Sequence, residues 1–131
     1  MRLVIAGGGG FGERLAEEFS KSDDVIVIEK DESRADFLGE RLQALVLLGD
    51  ASDKIILRHA GVERCDVFVA ATGDDNTNSS LCELAKSFGV KKIISRLNNP
   101  ENEGLFSGSG AVTINIMDCA IKEFKRVCGI K

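Results

Sequence analysis

Short apolar runs alternate with helical stripes along the whole chain. Leu3–Ala6 reads as a strand, and Phe11, Leu15 and Phe19 then recur every fourth residue, as one face of a helix requires. Val25–Ile28 predicts a second strand, followed by a helix over Ser33–Leu42 whose Ser33 and Asp36 have the spacing of a capping box. Ala44–Leu48 predicts a third strand, after which Ser52 is placed to cap a helix ending at Gly61. Val67–Ala71 is the fourth. Leu81, Leu84, Ala85 and Phe88 then mark a helix that Asp75 or Asn76 can cap and Gly89 closes. Lys92–Ser95 is the fifth strand, and Pro100 stands where a first helical residue belongs. Ala111–Ile114 is the sixth, and Met117, Ala120, Ile121, Phe124 and Cys128 share a face of a last amphipathic helix.

Six strands alternating with helices, each strand apolar on both faces, predict a parallel sheet covered on both sides. Crossover handedness then favours a Rossmann-like, doubly wound α/β fold in three layers. The chain has 131 residues, within the range of ~100–200 usual for one domain, so residues 1–131 are expected to form a single domain. Its terminal helix, 116–131, is a candidate for self-association.

Composition narrows the partners. Apolar residues make up 44% and charged residues 29%, ordinary for a globular protein. Lys and Arg number 17 against 21 Asp and Glu, a net charge of −4, so no basic surplus exists to neutralise a nucleic-acid backbone. The longest apolar runs fall far short of the ~20 residues that span a bilayer. Met1-Arg2 leads straight into the first strand, with no room for a signal peptide, so a cytoplasmic chain without direct membrane insertion is expected. Cys65, Cys82, Cys119 and Cys128 form no C-x-x-C pair, and His59 is the only histidine, which argues against a zinc site. Reduced thiols in or near the core are expected, with His59 at a helix end.

The chemistry gathers at the strand ends. Gly7-x-Gly9-x-x-Gly12 follows the first strand and opens the first helix. In such a loop the first glycine permits the turn, the second admits a pyrophosphate to the backbone, and the third lets helix and strand pack closely. Glu29 ends the second strand, where a carboxylate accepts the adenosine ribose hydroxyls and repels a 2′-phosphate, favouring NAD over NADP. Asp50, after the third strand, is placed to accept from an adenine amino group. Small residues at Ala70–Gly73 let a ligand lie over the fourth strand, and Arg96 after the fifth is placed to reach phosphate, with Arg14 as another candidate cation.

These residues resemble one family. Val4–Gly12, Val27–Asp31, Leu48–Ser52, Ala70–Asn78 and Ser95–Pro100 match, in order, the nucleotide-binding N-terminal domain of potassium-transport regulators of the TrkA/KtrA type, also called RCK or KTN domains. The resemblance implies binding of NAD(H), or of ATP, ADP or AMP at the same site, and regulation of a membrane-embedded potassium transporter or channel from its cytoplasmic side. It places Gly7, Gly9 and Gly12 on phosphate, Glu29 on ribose, Asp50 and Ala51 on adenosine, and Thr72, Asp74 and Arg96 on the distal half. Gly10, Phe11, Lys30 and Ala71 complete the expected contacts. Members assemble as dimers and larger rings through the last helix. Many carry a polar or basic residue where this chain has Gly10, and full-length members usually continue into a second ligand-binding domain.

Enzymatic rivals lack residues. The chain contains no tyrosine, which excludes a Tyr-Lys dehydrogenase pair, and its one histidine lies on the third predicted helix. A methyltransferase loop would carry an acid at Ile5. A non-enzymatic role is therefore expected, with an oxidoreductase cofactor domain as the alternative.

Overall fold

The computed structural model describes all 131 residues and contains one six-stranded, all-parallel sheet. Its strands are β1 (Arg2–Ala6), β2 (Asp24–Glu29), β3 (Leu45–Leu48), β4 (Val67–Ala70), β5 (Lys92–Leu97) and β6 (Val112–Asn115), in the order β3-β2-β1-β4-β5-β6. The helices are α1 (Gly10–Phe19), α2 (Glu32–Arg41), α3 (Lys54–His59), α4 (Asp75–Ser87) and α5 (Ile116–Cys128). The region opened by Pro100 is a 3₁₀ segment, Pro100–Phe106, capped by the side chain of Asn99. The three-layer expectation thus holds, and each expected strand is present with its ends within two residues.

Topology distributes the helices. Right-handed crossovers from β1 to β2 to β3 put α1 and α2 on one face, and the reversed direction from β3 through β6 puts α3, α4 and the 3₁₀ segment on the other. β1 lies at the reversal, paired with β2 through Leu3–Val25 and with β4 through Leu3–Val67. On the α3–α4 face, Val4, Ile28, Leu57, Phe68, Leu81 and Phe106 belong to a closed cluster of 15 buried residues. The α1–α2 face holds a cluster of 9, around Ile5, Ala16, Val27 and Leu38.

The second face is incompletely covered. Beside α1, over β4 and β5, an apolar trench of about 270 Å³ runs between Phe11, Leu15 and Phe19 on one side and Val69, Ile94 and Ile114 on the other. Helix α5 does not fill it. It packs mainly on β6, no residue of it is buried, and Phe124 and Val127 are 70% and 71% exposed.

Three helix starts differ from expectation by one or two residues. Asp31, not Ser33, caps α2 by accepting from Arg34 N, and Asp53, not Ser52, caps α3 by accepting from Ile55 N. Asp74, not Asp75 or Asn76, caps α4 by accepting from Thr77 N. In each case the residue directly before the helix has extended backbone, and only there does a short carboxylate reach the open amides. The cysteines also divide. Cys82 is buried and Cys65 half-buried, in line with thiols in or near the core, whereas Cys119 and Cys128 are exposed on α5, which corrects that expectation for these two. His59 is the last residue of α3, at a helix end as expected. No helix is long and apolar enough to cross a membrane.

Candidate functional site

The carboxyl ends of β1 to β5 surround a cleft of about 400 Å³ at the point where strand order reverses. Open α/β sheets bind ligands at that place, because loops leaving adjacent strands in opposite directions open a crevice there. A larger cavity, about 630 Å³, opens at the amino ends of β1–β3 beside Arg2, Asp23, His59 and Arg64, and holds none of the candidate site residues. The chemistry converges on the smaller one.

Its floor is the glycine loop. Gly7 turns the chain at φ 110°, and its N–H donates to Ile28 O at 2.9 Å. A Cβ on Gly12 would lie 1.9 Å from Gly7 O, so α1 can start this close to β1 only with glycine there. Gly8, outside the motif pattern, is less tightly constrained: a Cβ would lie 2.5 Å from Leu38 Cδ1 and 3.0 Å from Glu29 Oε1, both side-chain atoms that can shift. Gly9 opens α1 with no side-chain cap, leaving the first helical amides for an anion.

Glu29 is already engaged. Its Oε1 accepts from Gly8 N at 2.9 Å and its Oε2 from Asp31 N at 2.8 Å, which fixes the carboxylate at the cleft rim. Each oxygen keeps a second lone pair, enough for two ribose hydroxyls. The other side of the Gly8 peptide is held by Arg34, whose Nε donates to Gly8 O at 2.6 Å. Arg34 also pairs with Glu13 at 2.6 Å, and Arg41 reaches the same carboxylate at 3.4 Å. Glu13 and Arg34 escaped the sequence reading because they meet only in the folded chain. Arg14, a candidate cation there, pairs with Glu17 on an exposed helix face instead.

Asp50 accepts from Ser52 N and Oγ at 2.9 and 2.7 Å; these bonds hold its carboxyl below the usual range. Asp74 accepts from Thr77 Oγ1 and N, with the same consequence for its acidity. Its carboxylate, expected on the ligand's distal half, serves α4 first. Asp75 turns inward and is 5% exposed. Burial raises its pKa, but hydrogen bonds from Asn102, Asn98 and Asn99 outweigh that and leave it lowered.

Arg96 stands apart from these satisfied groups. It belongs to none of the molecule's ion pairs, and its buried Nε has no hydrogen-bond partner. The guanidinium lies 5.2 Å from the Phe11 ring centroid, on the wall that separates cleft from trench. An unsatisfied buried N–H costs about 1–3 kcal/mol. The structure thus brings Gly7, Gly9, Glu29, Lys30, Asp50, Ala51, Ala71, Thr72, Asp74 and Arg96 to one cleft. Gly10, Phe11 and Gly12 stand off it: Phe11 lines the trench, and Gly12 packs against β1.

A glycine-loop cleft at the reversal of a parallel sheet, with an acid at the end of β2, defines a Rossmann-like nucleotide-fold domain. The TrkA-N domain family matches residues 3–116, and the chain belongs to that family. It is 46% identical over 101 residues to the Trk system potassium uptake protein TrkA homolog of Archaeoglobus fulgidus, covering 77% of this chain and 23% of that one. The corresponding homolog of Methanothermobacter thermautotrophicus is 40% identical over 111 residues, covering 84% and 51%. The chain thus spans between about a quarter and a half of these relatives.

Solved structures agree on the fold. The TrkA-N domain of the inner membrane protein ybaL from Escherichia coli superposes with a TM-score of 0.86 at 19% identity, over 96% of this chain and 95% of that one. The GsuK channel bound to NAD gives 0.80 at 21% identity, over 90% and 22%. The AMP-bound Kef CTD of Shewanella denitrificans gives 0.79 at 21% identity, over 98% and 80%.

Proposed function

We propose that this chain is a non-enzymatic, nucleotide-sensing domain that regulates a membrane-embedded potassium transporter or channel from its cytoplasmic side. The observation that carries the reading is the convergence of the glycine loop, Glu29, Asp50 and the unpaired Arg96 on one cleft. The order of strand ends orients the ligand: adenosine over β2 and β3, the first phosphate on the amides of α1, and the distal groups over β4 and β5. NAD(H), ATP, ADP and AMP share the required adenosine and a free 2′-hydroxyl. The NAD and AMP of the GsuK and Kef structures, and the potassium-uptake names of the relatives, support the same class. The one histidine lies at the opposite end of the sheet, beside the larger cavity.

Calorimetric titration tests the site. Glu29→Ala should weaken NADH, ATP, ADP and AMP alike by ~10–100-fold, the loss of charged hydrogen bonds to the ribose at 1.4 kcal/mol per decade. Arg96→Ala should cost ATP more than AMP. Unchanged affinities in Glu29→Ala would refute the ribose assignment, and turnover of NADH with a carbonyl panel would refute the non-enzymatic reading.

The same reading includes self-association. Helix α5 offers Met117, Ile121, Phe124 and Val127 to solvent, while the trench beside α1 leaves an apolar strip of the sheet uncovered. Seating α5 of one copy in the trench of a second covers both, forming a dimer from which larger rings can grow. Strictly monomeric light scattering at high concentration, with and without nucleotide, would refute it.

A further inference from the structure

One buried polar side chain is explained neither by the core around it nor by the helix that carries it. Asn78 lies in the first turns of α4, is 0% exposed, and packs beside the apolar Leu81 and Cys82. Its Oδ1 accepts from Thr72 N at 3.1 Å and from Thr72 Oγ1 at 2.6 Å. Its Nδ2 donates to Thr72 O at 3.0 Å and to Arg96 O at 3.2 Å. Both donors and both acceptor positions of the amide are therefore used, all on two residues of the cleft wall. The helix does not need them, since Asp74 supplies its cap. Asp75 extends the same tie, accepting from Asn98, Asn99 and Asn102 beyond the end of β5.

We infer that Asn78 is a positioning residue that sets the spacing of Thr72 and Arg96, and thereby makes the cleft prefer nucleoside di- and triphosphates over monophosphates. The inference rests on the nucleotide reading above. Adenosine and the first phosphate are held at β1–β3, out of reach of Asn78, so only groups beyond the first phosphate meet the wall it holds. Without the amide, the β4 loop and the end of β5 keep the strand ladder and the Asn98 Nδ2 bond to Thr72 O at 3.3 Å, but the bridge from Thr72 to the Arg96 carbonyl is lost, and with it the backbone position from which Arg96 meets a terminal phosphate.

The test is a calorimetric double-mutant cycle with ATP and AMP on the full chain. Asn78→Asp replaces the two donors by an oxygen facing two carbonyls, and Asn78→Ser keeps a smaller hydroxyl in the site. Each should weaken ATP by about 10-fold or more while AMP changes by less than about 3-fold, the loss of one charged phosphate contact. Adding Asn78→Ser to Arg96→Ala should cost ATP little further, because both remove the same contact. Equal losses for ATP and AMP, or additive losses in the cycle, overturn the inference and leave the nucleotide reading intact. If the wild type binds neither ATP, AMP nor NADH, that reading fails and takes the inference with it. If neither Asn78 variant folds, Asp75→Asn must show the same ATP-selective loss, and its absence counts against the inference equally.

Discussion

On the α3–α4 face of the sheet the central strands are roofed, and Phe68, Leu57 and Leu81 lie in a closed core, while Leu45 at the β3 edge is 65% exposed. On the α1–α2 face the roof stops beside α1, and the apolar surface of β4 and β5 continues as a trench ending at Ile114. Both faces come from the same apolar strands, so strand composition does not explain the difference. Crossover handedness does. Once the chain reverses direction at β1, every right-handed connection after β3 falls on the opposite face. Only an element following β6 could cover the trench, and α5, which follows it, projects away with its apolar side chains in solvent. The uncovered strip is thus a consequence of the topology, and it is the surface on which the proposed self-association would rest.

The largest blow to the comparison should come from the closed face. Phe68→Ala should destabilise the chain by about 3–5 kcal/mol in denaturant unfolding, the cost of an unfilled core cavity. Leu15→Ala, on the trench wall, should cost distinctly less, because part of that side chain already faces open space; equal losses would show that the two faces are equally packed. Next comes acid. Asp75 is held below its ordinary pKa when folded, so its contribution is present above about pH 4, the unfolded carboxylate value, and is lost as pH falls through the lower folded value. Unfolding free energy should stay level from pH 7 to about 5 and decline below about 4, and Asp75→Asn should flatten part of that decline.

Phe124→Asp should change unfolding free energy by less than about 0.5 kcal/mol, as a surface substitution does, while abolishing self-association in sedimentation experiments. A large stability loss would mean that α5 folds back onto its own trench. The smallest effect is chemical. Burial pushes the Cys65 and Cys82 thiols up to about 11, so they should resist a thiol reagent at neutral pH. Cys119 and Cys128, exposed on α5, should react first, and more slowly once the helix is docked.

How much of this was legible in the residues varies with distance along the chain. Strands and helices were legible because burial imposes a period on neighbours a few residues apart. The cleft was largely legible too, since its motifs stand at strand ends and the topology brings those ends together. Helix caps were not, because Asp31 competes with Ser33, Asp53 with Ser52, and Asp74 with Asp75, and periodicity does not resolve one or two residues. The Gly8–Arg34–Glu13 clamp and the Asn78 tie were invisible for a different reason. Arg34 reaches partners 26 and 21 residues away, and Asn78 joins Thr72, 6 residues away, to Arg96, 18 away; nothing local marks one Asn or Arg as reaching across. The amphipathic last helix showed its stripe plainly but not its destination, which depends on where the crossovers leave room.

The central place of β1 also governs how the chain reaches its fold. Leu3 meets Val25 early in synthesis, but its other neighbour, Val67, leaves the ribosome only after the third strand and helix. Until then Leu3-Val4-Ile5-Ala6 presents an open edge, the kind of strand that pairs with other chains. Parallel pairings this distant are slow to close, because the loop entropy is lost before the contacts form. A nascent chain stalled before Ala70 should therefore be far more prone to aggregate than one released after it. The strand that ends at the glycine loop thus gains its second neighbour only after two further strands have been made.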